Sequence, residues 1–434
     1  MSAGTGTPAG RLGLGLATVM VAGNLIGSGI YLLPATLATI GSISIFGWII
    51  AAIGALVLAG VFSLMMIVRP TEDGLADIVR AGLGPYWGFQ SSLLYWIGCW
   101  LANIAIALAV VGYLTVPFPV LDQPLPSAAA TVAVIWLLTG IAILGPRAIG
   151  RTHALTLAVG LVPLLAVGIL GWLWFDPELF ARSWNVSGEP DSEAVFGSLV
   201  SVFWAFVGVE CAAMVARMVR DPARNVPLAT MGGVGIAALV YMFASTAIFG
   251  MASAESIASS SAPFALAVDT ILGPAAAGLV AVCAILKAAG TLGGWVLVTG
   301  ETTRWTAASR FLPGWLAQTS DKGMPVRALV AMALLMSLAT FLTVAPTIAQ
   351  QFELLINASV VFTMLVYVYA SITLVRFTAG ASPGRRKAAL VLAVFAILFS
   401  VLLIVSSGVG LIAVTAGLVF LTLLGWQFVR KRVD

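Results

Sequence analysis

Long apolar runs alternate with short polar connections over nearly the whole chain. Most runs hold about 20 residues or more, and an α-helix of about 20 residues spans the roughly 30 Å hydrocarbon core of a bilayer. A transmembrane β-barrel would show shorter segments of alternating polarity. The pattern predicts an all-α polytopic membrane protein with twelve transmembrane helices, at about residues 12–40, 43–68, 86–118, 127–145, 153–175, 194–216, 227–252, 272–301, 326–345, 351–375, 388–406 and 408–429.

The first apolar run contains glycine-rich backbone near its middle. Irregular backbone at membrane depth is tolerated only where it is buried in protein or lines a cavity. Gly27, Ser28 and Gly29, followed by Pro34, therefore predict an interrupted helix, which is where many secondary transporters hold their substrate. The alternative is a close-packing seam, because Gly23 and Gly27 form a small-xxx-small pattern. The glycines alone do not decide between these two interpretations.

The basic residues predict the orientation of the chain. If twelve spans alternate, nineteen of the 21 Lys and Arg fall on one side of the membrane, and only Arg182 lies in a loop on the other. Cytoplasmic connections carry the excess of Lys and Arg, so both termini are expected in the cytoplasm. The expected location of the protein is the inner membrane of the cell. The nineteen residues are Arg11, Arg69, Arg80, Arg147, Arg151, Arg217, Arg220, Arg224, Arg304, Arg310, Lys322, Arg327, Arg376, Arg385, Arg386, Lys387, Arg430, Lys431 and Arg432.

Composition excludes other classes of protein. Hydrophobic residues make up 61% of the chain and charged residues 9%, whereas a soluble domain carries about 25% charged residues. Residues 1–434 are expected to form one transmembrane domain in a lipid bilayer, without a nucleic-acid partner. Cys99, Cys211 and Cys283 lie in apolar runs and predict no disulfide. His153 is interpreted as interfacial, and no metal site, cofactor or enzymatic activity is expected because no ligand cluster or nucleophile triad is found.

Three ionisable residues fall inside apolar runs, where charges are costly and usually functional. They are Glu210 in span 6, Lys287 in span 8 and Glu353 near the start of span 10. Glu210 follows Gly208, and a role in proton coupling or gating is favoured over a structural hydrogen bond. Lys287 precedes Trp295 by eight residues. It would contact substrate, imitate a bound cation beside span 1, or neutralise a buried carboxylate, and the sequence does not choose among these roles.

Aromatic and polar residues suggest a second cluster. Tyr95, Cys99 and Asn103 recur every four residues on one face of span 3, while Trp204 and Trp295 come from spans 6 and 8. An indole face holds a cation with about 2 kcal/mol when the pair is desolvated. Aromatic stripes more often pack or sit at interfaces, so the spacing alone favours packing over a binding site.

Several segments together resemble one transporter group. They are residues 23–34, 95–103, 203–210, 220–227 and 292–295, together with Ser359. The chain resembles the amino acid–polyamine–organocation superfamily, and within it the bacterial arginine/agmatine antiporters and their putrescine/ornithine and cadaverine/lysine relatives. The resemblance covers essentially all twelve spans.

The resemblance implies a five-plus-five inverted repeat of the LeuT type with spans 1 and 6 broken. Repeat one would occupy about residues 12–175, repeat two about 194–375, and two extra helices about 388–429. It also implies alternating access, amino acids and amines as substrates, and often a homodimer through spans 11 and 12.

The resemblance also assigns residues to substrate groups. Ser28 and Gly29 would bind the substrate carboxylate, and the carbonyls of Leu25, Trp204 and Val207 would accept the α-ammonium. Trp204 would also cover the site as a gate. A guanidinium would be surrounded by four side chains, which are Cys99, Asn103, Trp295 and Ser359.

Four further residues bear on gating and substrate choice. Tyr95 and Glu210 would belong to the outer gate and the pH response, while Lys287 and Glu353 depart from the pattern, since a small residue and a glycine are expected there. A lysine 4 Å from a cationic substrate would cost about 4 kcal/mol at an effective dielectric of 20.

The function expected from the sequence is exchange of a basic amino acid for its decarboxylated amine, with arginine and agmatine as the preferred pair. The alternatives are a proton-coupled transporter or exporter of neutral amino acids, with Lys287 as internal cation, and another exchanger such as putrescine/ornithine. A channel or a nutrient sensor would use the same fold without exchange.

Overall fold

The computed structural model describes residues 13–69, 74–210, 219–321 and 323–433, and its regular structure is helical. The α-helices in these residues are α1 (Leu14–Leu25), α2 (Leu33–Ala38), α3 (Ser44–Val68), α4 (Leu75–Leu83), α5 (Pro85–Leu114), α6 (Pro124–Leu144), α7 (Pro146–Leu170), α8 (Pro177–Arg182), α9 (Asp191–Phe203), α10 (Pro222–Met251), α11 (Ala254–Ala258), α12 (Pro263–Leu272), α13 (Pro274–Ala308), α14 (Val326–Leu342), α15 (Ile348–Phe377), α16 (Pro383–Ser406) and α17 (Val409–Val433).

Within the described residues, eight helices are long and apolar enough to cross a membrane. They are α3, α5, α6, α10, α13, α15, α16 and α17. Three of the other helices, α1, α12 and α14, are shorter but apolar. The prediction of an all-α, multi-pass membrane protein is confirmed, while the count of twelve spans stays a prediction.

The first apolar run is interrupted where its glycines predict. Helix α1 ends at Leu25, a short 3-10 turn covers Gly29–Tyr31, and α2 begins at Leu33. Pro34 lies at the first turn of α2, where a missing N–H breaks no helical hydrogen bond. The segment between the two helices thus leaves backbone groups available to a bound molecule or to neighbouring side chains.

A second interruption follows α9. The chain makes a 3-10 turn over Trp204–Phe206, becomes extended at Val207 and reaches a positive φ of 100° at Gly208. A Cβ atom at Gly208 would lie 3.3 Å from Cζ2 of Trp295. Glycine is required here because the backbone is left-handed and an indole ring packs directly against it.

The long helices pack tightly around these interruptions. Helix α5 runs along both α13 and α15, α13 also packs on α7, and α1 lies against α10. Contact between α13 and α7 is close because Gly160 faces Lys287, and a Cβ at Gly160 would lie 2.1 Å from that of Lys287. Helix α17 is peripheral, with only 11% of its apolar 18-residue stretch buried. Its open face fits lipid, and the expected homodimer stays a prediction.

Candidate functional site

The two interrupted segments, α5, α13 and α15 surround one pocket. Nine of the residues singled out from the sequence line it: Leu25, Ser28, Gly29, Tyr95, Cys99, Trp204, Val207, Trp295 and Ser359. Three others, Asn103, Glu210 and Lys287, are buried but are not among the lining residues. The structure therefore gathers most of the predicted site around one space.

The pocket wall from the first interruption is made by Ser28 and Gly29. Ser28 is 1% exposed, and its hydroxyl has no hydrogen-bond partner among the described residues. Gly29 lies directly under the Trp204 indole, since a Cβ at Gly29 would come within 2.5 Å of Nε1 of Trp204. Only a residue without a side chain allows the indole to close over the break in this way.

Tyr241 of α10 links the two interruptions. Its hydroxyl lies 2.5 Å from the Leu25 carbonyl oxygen and 3.1 Å from that of Ala205, and it can donate to either. The Leu25 oxygen also accepts from the Gly27 N–H at 2.6 Å, so it has a lone pair for a further donor only when Tyr241 donates to Ala205 instead. The sequence analysis missed Tyr241, although a hydroxyl in the middle of an apolar run signals a buried partner.

The residues expected around a guanidinium are only partly brought together. Cys99, Trp295 and Ser359 line the pocket, and the Ser359 hydroxyl donates to the Gly98 carbonyl at 2.9 Å. Asn103 is fully buried and donates its amide to the Thr299 hydroxyl at 2.9 Å. Its amide oxygen has no partner among the described residues. Asn103 thus lies behind the pocket wall.

Glu210 is held between two tyrosines. Tyr95 of α5 donates to one carboxylate oxygen at 2.7 Å, and Tyr367 of α15 donates to the other. Tyr367 was missed by the sequence analysis, because it is separated from Glu210 by 157 residues and no local pattern joins them. The three side chains form a cluster next to the pocket, here named the tyrosine–glutamate clamp.

The clamp lies nearer to the helix ends that the charge pattern predicts as cytoplasmic. Tyr95 lies ten residues after the start of α5 at Pro85, and Tyr367 ten residues before the end of α15 at Phe377. At 1.5 Å per residue both are about 15 Å from those ends, and Cys99 and Ser359 lie farther from them. With the orientation predicted by the charges, the expectation that Tyr95 and Glu210 form an outer gate does not fit this placement.

Comparison with known proteins identifies the family of the chain. Residues 12–426 match the model of the amino acid permease family. The chain belongs to this family, within the amino acid–polyamine–organocation superfamily. The permease is 39% identical over 373 residues to the cadaverine/lysine antiporter of Escherichia coli (strain K12), which covers 85% of this chain and 84% of the relative.

Two more distant similarities also cover most of the chain. The permease is 29% identical to the putrescine transporter PotE of Escherichia coli (strain K12) over 400 residues, covering 92% of this chain and 91% of the relative. It shares its fold with the crystal structure of MhsT in complex with L-phenylalanine, with a TM-score of 0.62, 14% identity and coverage of 91% of this chain and 98% of the other. The matched family and the named relatives are transporters, not enzymes.

Lys287 is the most unusual buried charge of this permease. It is 2% exposed, and the described residues provide no ion pair or hydrogen bond to its ammonium group. It lies on α13 one turn before Thr291, whose methyl group is 3.6 Å from a Cβ position at Gly27. The described contacts therefore give no support to neutralisation of a nearby carboxylate, and the other two roles of Lys287 stay predictions.

Cys99 and Cys283 are buried and unpaired, and no three His, Cys, Asp or Glu side chains among the described residues could share a metal ion.

Some residues named in the sequence analysis lack a described structure. Four residues lie outside the described residues, namely Arg11, Cys211, Arg217 and Lys322. Five lie in helices but have undescribed side chains, namely Arg147, Arg151, His153, Lys431 and Arg432.

Replacing Gly29 with alanine should strongly impair transport by the permease. The new Cβ would come within 2.5 Å of Nε1 and 2.8 Å of Cδ1 of Trp204, so the indole must leave its place over the break. We expect transport in proteoliposomes to fall at least about tenfold, the equivalent of 1.4 kcal/mol. Gly197→Ala is the matched control, because a Cβ there meets no atom within 4 Å. Normal transport by Gly29→Ala would show that the contact with Trp204 is dispensable.

Proposed function

We propose that this permease exchanges a basic amino acid for its decarboxylated amine by alternating access. One observation carries the proposal: a single pocket joins the backbone of two interrupted helices to the indole of Trp295. Interrupted helices supply N–H and C=O groups for a carboxylate and an α-ammonium, and an indole attracts a side-chain cation. An amino acid with a cationic side chain uses all of these groups.

The proposal includes the arrangement of the chain in the membrane. We infer twelve spans in a five-plus-five inverted repeat with two added helices, and both termini in the cytoplasm of a cell with the protein in its inner membrane. The long helices α3, α5, α6, α10, α13, α15, α16 and α17 account for eight of the spans. The two interrupted segments, α7 and α14 would supply the other four.

Lysine and cadaverine are the proposed substrate pair, ahead of the arginine and agmatine favoured by the sequence. A guanidinium carries five N–H donors and an ammonium three, so arginine requires more acceptors. Asn103, one of the four residues expected to surround a guanidinium, lies behind the wall and donates to Thr299. The 39% identical relative is named for cadaverine and lysine, which supports the same choice.

The clamp and Trp204 are proposed to close the pocket from opposite directions. Trp204 packs over Gly29 and is 8% exposed, so it covers the substrate subsite at the first interruption. The clamp ties α5 and α15 together through Glu210 on the side that the charge pattern predicts as cytoplasmic. Opening toward the cytoplasm would require at least one of its two hydrogen bonds to break.

Exchange assays in proteoliposomes test the function directly. Vesicles would be preloaded with lysine, cadaverine, arginine, agmatine, alanine or buffer, and uptake of labelled lysine and arginine measured with and without a proton gradient. We expect lysine uptake only into vesicles that hold lysine or cadaverine. Faster uptake of labelled arginine into vesicles that hold agmatine would instead identify arginine and agmatine as the substrate pair. Uptake into buffer-loaded vesicles would contradict obligatory exchange.

Lys287 favours a second candidate, proton-coupled transport of neutral amino acids. A buried ammonium without a partner among the described residues repels a cationic substrate and would serve as an internal cation. This candidate predicts gradient-driven alanine uptake into buffer-loaded vesicles, and Lys287→Met should remove the dependence on the gradient. Under the exchange proposal, Lys287→Met leaves exchange obligatory and strengthens binding of the dicationic amine. The two outcomes separate the candidates in one assay.

A further inference from the structure

Thr291 of α13 is a pocket residue that the sequence analysis did not single out. It lines the same pocket as Ser28 and Trp295 and is 6% exposed. Its hydroxyl has no hydrogen-bond partner among the described residues. Of thirteen buried side-chain polar atoms in that state, only those of Ser28 and Thr291 belong to residues that line the pocket.

The other threonines of α13 show how unusual this is. Thr299, Thr302, Thr303 and Thr306 each donate their hydroxyl to the carbonyl four residues earlier, at 2.7 to 2.8 Å. This bond is the usual way for a helical threonine to satisfy its hydroxyl in an apolar environment. Thr291 lies on the same helix and could make the same bond, yet its hydroxyl is left without a partner among the described residues, which is unfavourable for a buried polar group.

The position of Thr291 indicates what its hydroxyl is for. Its methyl carbon lies 3.6 Å from a Cβ position at Gly27, so the side chain contacts the first interruption immediately before Ser28. Two buried, unpartnered hydroxyls therefore come from facing elements at one subsite. Two O–H donors at one subsite suit a carboxylate, whose oxygens only accept hydrogen bonds.

We propose that Thr291 is a further substrate-binding residue that donates a hydrogen bond to the carboxylate of the bound amino acid, together with Ser28. This inference rests on the proposed exchange function and deepens it. A decarboxylated amine has no group for this bond, so Thr291 sets the difference in affinity between the amino acid and the amine. The permease would use it to tell its two substrates apart, since their cationic side chains are the same.

Paired measurements on both substrates test this role. In proteoliposomes, Thr291→Val should raise the half-saturation concentration for lysine about tenfold or more, because the variant loses a hydrogen bond to a charged group. The half-saturation concentration for cadaverine should change less than about twofold, which also shows that the variant folds. Thr291→Ser, which keeps the hydroxyl, should restore lysine affinity.

A matched control is available on the same helix. Thr306 is buried, and its hydroxyl is already satisfied by the Thr302 carbonyl. Thr306→Val should leave both half-saturation concentrations near the wild-type values. Equal changes for lysine and cadaverine in Thr291→Val, or none, would overturn the inference. Failure of the wild-type protein to exchange an amino acid for its amine would instead contradict the proposed function, and the two failures are seen in different proteins.

Discussion

Trp295→Ala is expected to abolish measurable binding of basic substrates at concentrations that half-saturate the wild-type protein. The indole lines the pocket and packs, partly buried, on the left-handed backbone at Gly208 in the second interruption. Loss of a desolvated cation–π contact removes about 2 kcal/mol, and loss of the ring surface adds to it. We expect the half-saturation concentration for lysine to rise about hundredfold, the equivalent of 2.7 kcal/mol.

A second tryptophan of the same helix supplies the control. Trp305 is 51% exposed and also carries a cation, with the Arg304 guanidinium 4.7 Å from its ring centre, but it does not line the pocket. Trp305→Ala should leave lysine exchange unchanged, while Trp295→Phe should bind with intermediate affinity because a phenyl ring keeps a weaker cation–π contact. Unchanged lysine affinity in Trp295→Ala would remove the cation–π interaction from the proposed site.

The interruption of the first span was predictable because a strong local signal produces it. Gly27, Ser28 and Gly29 lie inside an apolar run. At membrane depth the N–H and C=O groups of such irregular backbone must be hydrogen-bonded within the protein or line a cavity. Gly208 and Trp295 belong to two different spans. The sequence indicated a possible role for each residue but not the contact between them. Composition and the spacing of charged residues were sufficient to predict a multi-pass membrane protein.

Tertiary contacts explain what the sequence did not reveal. Tyr241 and Tyr367 sit inside apolar runs without a local pattern, and their partners lie more than 100 residues away or on other elements. Asn103 was placed with Tyr95 by four-residue spacing. At 100° per residue, however, a position eight residues on is rotated by about 80°, which points Asn103 toward Thr299 of α13.

Glu210→Gln is expected to lower exchange at least about tenfold and to remove its dependence on pH. The carboxylate accepts one hydrogen bond on each oxygen, from Tyr95 and Tyr367. Hydrogen bonds to a charged group contribute about 1.5–3 kcal/mol, and an amide offers only one acceptor oxygen. Glutamine does not titrate, so a pH response that depends on this group cannot survive the substitution.

The pH profile separates a gate from a purely structural contact. Glu353 is the matched control, because it is a carboxyl on α15 without a tyrosine partner among the described residues, and Glu353→Gln should keep the wild-type profile. Tyr95→Phe and Tyr367→Phe each remove one hydrogen bond and should slow exchange while keeping its pH dependence, since the carboxyl remains. Exchange by Glu210→Gln that still follows the wild-type profile would assign the pH response to another group. Lys287, a buried ionisable residue behind the pocket wall, would then be the first to test.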